Sequence, residues 1–173
     1  MLFRSDSHGN IFTSQLVSLA PEPESMQKFE MDFPGIKWAW GDQTGKKLDR
    51  LPYPAPVLYF PKSGKPQSLM TNPGEYLRHQ DIVYHDYLDK VYSTYSESNT
   101  IAVVDAKGSI ENLHAKKFGI YKIRGIRTFS NSPLALINDS ENGMALVNME
   151  RKRLIRFYDV PLFLTRHITL MPV

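Results

Sequence analysis

The 173-residue chain contains no cysteine, which excludes a disulfide framework, a thiolate metal site and a cysteine nucleophile. Long apolar runs are missing too, and no window approaches the roughly 18 consecutive apolar residues that cross a bilayer. The opening Met1-Leu2-Phe3-Arg4-Ser5-Asp6 lacks the apolar stretch of a secretory signal. The last two absences lead us to expect a cytoplasmic protein with no membrane partner; the lack of thiols is neutral on compartment. Acidic charge is scarce in the second half: residues 101–173 hold eleven Lys and Arg against six Asp and Glu, while residues 1–100 hold ten against twelve. A complete catalytic signature is also lacking, and no cofactor is implied.

What is present reads as globular. Apolar residues make up 42% and charged residues 23%, close to the average for folded domains, and this length suits one domain spanning 1–173. Within it, residues 1–100 read as a mixed α/β half and residues 101–173 as a β-rich, basic half.

The pattern predicts an α+β fold. Prolines and glutamates at 21–24 precede Met26, Phe29 and Phe33 at helical spacing, and Pro34-Gly35 ends that helix. Ile36, Trp38 and Trp40 alternate as a strand does. Val57–Phe60 reads as a strand at a sheet edge, since prolines stand at 54, 56 and 61. A long amphipathic helix is predicted over about 75–95: Leu77, Tyr84, Tyr87, Leu88, Val91 and Tyr95 fall on one stripe, with Arg78, Asp81, His85 and Asp89 opposite. From Thr100 onward the period changes to two. Strands are expected at 101–104, 119–126, 134–138, 144–149, 154–159 and 162–170, a C-terminal antiparallel meander with a hairpin turn at Asp139-Ser140-Glu141-Asn142-Gly143. Gly125 offers a bulge.

Three motifs invite chemistry. Asp6-Ser7-His8 resembles the first metal-binding motif of calcineurin-type metallophosphoesterases, and Gly41-Asp42 is similar to their second. That resemblance implies Asp6 and His8 as metal ligands, but the family's later Gly-Asn-His and Gly-His-x-His segments have no counterpart here. Gly41-Asp42-Gln43-Thr44-Gly45-Lys46-Lys47 approaches a phosphate-binding loop, yet it has three residues between its glycines where four are needed and Lys47 where Ser or Thr belongs. Asp81, His85 and Asp89, at i, i+4 and i+8 of the expected helix, are a candidate catalytic face with carboxylate and imidazole at general acid–base spacing.

The aromatic residues Trp38, Trp40, Tyr59, Phe60, Tyr84, Tyr87, Tyr92 and Tyr95 read mainly as core, with Tyr92 the member expected at the surface. The basic residues carry the leading functional reading. Lys116, Lys117, Lys122, Arg124 and Arg127 lie within twelve positions, and Arg151, Lys152, Arg153 and Arg156 follow the hairpin. Lys122 and Arg124 share a strand face, and Arg156 projects away from Ile155 and Phe157. If these strands are neighbours, one sheet face carries a basic stripe. The expected function is a non-enzymatic binding protein that meets an acidic partner, foremost nucleic acid, through phosphate contacts. A protein–protein module, such as an inhibitor or accessory factor, and a small metal-dependent hydrolase or nuclease remain as alternatives.

Overall fold

The computed structural model describes residues 2–14, 56–72, 75–76 and 78–160. Strands dominate, and they form three antiparallel sheets of four, each a simple meander. The first sheet is β1 (Leu2–Ser5), β2 (Ile11–Ser14), β3 (Val57–Phe60) and β4 (Gln67–Leu69). The second is β5 (His79–His85), β6 (Lys90–Tyr95), β7 (Thr100–Asp105) and β8 (Ile110–His114). The third is β9 (Ile123–Thr128), β10 (Leu134–Asp139), β11 (Gly143–Asn148) and β12 (Arg153–Tyr158).

The first strands of the three sheets lie side by side, β1 against β5 and β5 against β9. Hydrogen bonds join Gln80 to Arg124, Asp81 to Ile126, and Tyr84 to Thr128, so β5 and β9 run in the same direction. Consecutive four-stranded meanders packed through their inner strands are the blade arrangement of β-propellers. The described residues build three such blades.

The fold class therefore differs from the α+β expectation. No long helix occupies 75–95; that stretch is the β5–β6 hairpin. Two physical causes produced the misreading. The second sheet is covered on both faces, so β6 and β7 are buried almost throughout and show no alternation. The apolar residues of the two strands, joined by the turn at 86–89, then happen to fall at helical spacing. The composition pointed the other way: Ile82-Val83-Tyr84 and Val91-Tyr92-Ser93-Thr94-Tyr95 are β-branched or aromatic almost without exception. Asp89 ends the turn in the left-handed region at φ 51°, which Asp tolerates better than most residues.

The core has two layers. Phe12, Val57, Tyr59, Tyr76, Ile82 and Val91 fill the space between the first and second sheets. Ile101, Phe118, Ile123, Ile126, Ile137 and Val147 fill that between the second and third. Tyr92, expected at the surface, belongs to this second layer and is buried.

The basic half matches its expectation more closely. Strands β7, β10, β11 and β12 fall within a residue of the predicted bounds, and 139–143 turns as expected. Gly143 is required there: its φ is 133°, and a Cβ would lie 2.1 Å from the Tyr158 carbonyl oxygen. Val57–Phe60 is a strand, but it lies between β2 and β4, not at an edge, because the flanking prolines fall outside the paired residues. The expected strand 119–126 begins only at Ile123; a 3-10 turn, Ala115–Phe118, precedes it. The register of β9 against β10 shifts at Asn138/Asp139, beside Gly125. The helix expected after residue 25, the 36–40 strand, the loop at 41–47 and the strand at 162–170 lie outside the described residues.

Candidate nucleic-acid interface

The basic residues do not form one stripe. β9 and β12 lie at opposite edges of the third sheet, with β10 and β11 between them, so Arg124 and Arg156 are not neighbours. On β9 the cations turn toward the second sheet. Arg127 pairs with the buried carboxylate of Asp81, and Arg124 donates to Gln80 Oε1 at 3.0 Å. These two arginines join sheets.

The exposed cations gather elsewhere. Phe157 of β12 lies against Gly119 at the end of the 3-10 turn, which brings that turn beside the outer edge of the sheet. Lys116 and Lys117 are exposed on the turn, and Arg151, Arg153 and Arg156 are exposed along the edge. None of these five is ion-paired with a carboxylate among the described residues. Lys122 does pair, with Glu141 at 2.5 Å, and Lys152 pairs with Glu111. Glu150 and Asp159 are the exposed acids at the two ends of the edge.

A bulge aligns this edge. Arg153 and Arg156 are three residues apart, a spacing that puts side chains on opposite faces of a regular strand. Here Asn148 faces Arg153, Val147 faces Leu154 and Leu146 faces Arg156, so Ile155 is the extra residue. Arg153, Arg156 and Tyr158 consequently share the face that points away from the second sheet. The Arg156 guanidinium lies 5.1 Å from the Tyr158 ring centroid, within the range of a cation–π contact. A six-residue strand is about 20 Å long, so Arg151, Arg153 and Arg156 are spread over about that length, while the 3-10 turn with Lys116 and Lys117 packs against Phe157 at one end of the strand.

At the 3-10 turn end, one carboxylate grips the connection into β9 at two backbone N–H groups. Asp139 Oδ2 accepts the backbone N–H of Tyr121 at 2.6 Å and of Lys122 at 2.9 Å, while Oδ1 accepts those of Glu141 at 2.8 Å and Asn142 at 3.2 Å. Burial alone would push this carboxyl up, but the four N–H groups outweigh it and hold the pKa below the usual range. The two segments it ties together carry Tyr121 and Lys122 on one side and Glu141 on the other. Tyr121 is 60% exposed, with the Lys116 ammonium 5.9 Å from its ring centroid. Strict alternation over 119–126 would put Tyr121 with Ile123 on the face opposite Lys122 and Arg124, but β9 begins only at Ile123 and Tyr121 lies before it. The signal available was Gly119, which closes the 3-10 turn at φ 77° and delays the start of the strand.

The residues considered for catalysis are dispersed. Asp81 faces the third sheet and accepts the N–H groups of Ile82 and Ile126 as well as the Arg127 guanidinium. His85 is fully buried at the end of β5, beside the Tyr92 ring, and burial pushes its pKa down. Asp89 turns toward the first sheet, accepting the Tyr84 hydroxyl and facing His8 Nε2, each at 2.7 Å. Asp6 closes its own turn, taking the N–H groups of His8 and Asn10 and the Asn10 amide. The hydrogen bond to Asp89 raises the pKa of exposed His8. The pair ties the β1–β2 turn to the β5–β6 turn. Among the described residues no group of three or more His, Cys, Asp or Glu is placed to hold a metal ion.

No helix among the described residues is long and apolar enough to cross a membrane. No protein-family model matches the chain, and none of the curated proteins compared with it matches either.

Proposed function

We propose that this protein is a binding module whose basic sheet edge and adjoining 3-10 turn engage the phosphate backbone of a nucleic acid. The observation that carries the reading is the set of five exposed cations on this edge and turn, Lys116, Lys117, Arg151, Arg153 and Arg156, free of ion pairing among the described residues. Cations already satisfied by carboxylates release few counterions from a polyanion, whereas unpaired ones do so fully. Backbone contacts of this type position a nucleic acid without reading its sequence.

Reversing Lys116, Arg153 and Arg156 together to glutamate tests the reading. All three are exposed, so the melting temperature is expected to stay close to that of the wild type. Affinity for a labelled oligonucleotide should fall at least about tenfold at low salt, and the slope of log affinity against log salt should flatten by about 2–3. Unchanged affinity in the folded triple variant contradicts the proposal.

A further inference from the structure

We infer that Tyr121 is a stacking platform for an unpaired base, which makes the ligand single-stranded; this rests on the nucleic-acid reading above. Two tyrosines stand out among the described residues as strongly exposed, Tyr87 at 53% and Tyr121 at 60%. Their surroundings differ in charge. Tyr87 sits in the β5–β6 turn between Asp86 and Asp89, where a phosphate would be repelled. Tyr121 follows Lys116 and Lys117, both exposed and without a carboxylate partner among the described residues, and precedes Lys122, which pairs with Glu141.

Exposure of a large ring is unfavourable unless something fixes the backbone beneath it. Asp139 does this at Tyr121, gripping the N–H groups of residues 121 and 122 with a side chain that is itself buried. Ser140 donates its N–H to the Lys122 carbonyl at 3.0 Å, and Ile123 donates to Asn99 Oδ1 at 3.1 Å. The ring is thus presented on a braced segment, so little backbone freedom is lost when a base lands on it. Lys116 lies over the ring at the outer range of a cation–π contact, and the exposure of the ring leaves surface for a second planar group. Bases stack on such rings whatever their sequence, and flanking cations hold the adjoining phosphates. A duplex, whose bases are already stacked on one another, gains nothing from the ring.

The test uses fluorescence polarisation with labelled oligothymidylate and a duplex of equal length, on the full chain. Tyr121→Ala should weaken single-strand binding by about tenfold to a hundredfold, as loss of one stacked base does. Tyr121→Phe should restore it, and both variants should bind the duplex as the wild type does. An equal loss on both ligands, or no loss on either, overturns the stacking role while leaving the basic edge intact. Failure of the wild type to bind either ligand overturns the nucleic-acid reading and this inference with it.

Discussion

Replacing Asp81 with asparagine is expected to lower the unfolding free energy by about 3–5 kcal/mol, the usual result of removing one partner from a buried ion pair. The Asp81 side chain is 4% exposed and that of Arg127 is 22% exposed, so solvent cannot replace the lost charge. The carboxylate also accepts the N–H of Ile126 on the neighbouring sheet and that of Ile82 on its own strand. An amide of the same shape has one acceptor oxygen, so its NH2 group must face one of these donors. The second and third sheets meet along β5 and β9, and the change strikes that seam directly. In a chain of this length the loss corresponds to a fall of about 10 °C or more in melting temperature. A melting temperature within about 2 °C of the wild type contradicts the view that this pair joins the blades.

Asp139→Ala should come next, at about 3 kcal/mol. Four backbone N–H groups lose a charged acceptor, and hydrogen bonds to charged groups contribute about 1.5–3 kcal/mol each. Water can reach the two turns and recover part of that loss. The same residue gives a pH dependence of definite sign. Its folded pKa lies below its unfolded value, near 3.8, so its stabilisation is fully present above that value and disappears as pH falls through the folded pKa. Acid unfolding of the wild type should therefore be steeper below about pH 4 than that of Asp139→Ala. Parallel acid curves contradict the role given to Asp139. Because Asp139 braces Tyr121, the variant should also lose single-strand affinity while keeping its salt dependence.

How far these features were legible in the sequence depended on whether their causes were local. The hairpin at 134–149 was readable because Asn142-Gly143 and the flanking alternation both belong to it. Strand β12 was readable from its β-branched and aromatic residues after the charged turn, with Arg156 read as projecting away from Ile155 and Phe157 and Arg153 as part of the turn. Their alignment on one face was not, since it comes from the bulge at Ile155, which no turn residue marks. The β5–β6 hairpin was misread because burial on both faces erases the alternation by which a strand is recognised. The partners of Asp81, Asp139 and Asp89 lie 46, 18 and 81 residues away, at Arg127, Tyr121 and His8. Spacing cannot show such pairs. Asp81 and Asp89, which looked like candidates for chemistry, tie segments together, and so does Asp139 of the hairpin turn, which the tertiary fold alone reveals.

The most direct measurement is binding of the wild-type protein to labelled single-stranded and duplex oligonucleotides across about 50–300 mM salt. Binding at the lowest salt, with log affinity falling linearly against log salt and the single strand held more tightly, is the predicted result. Absence of binding to either ligand at the lowest salt would contradict the account and assign the basic edge to a partner of another kind.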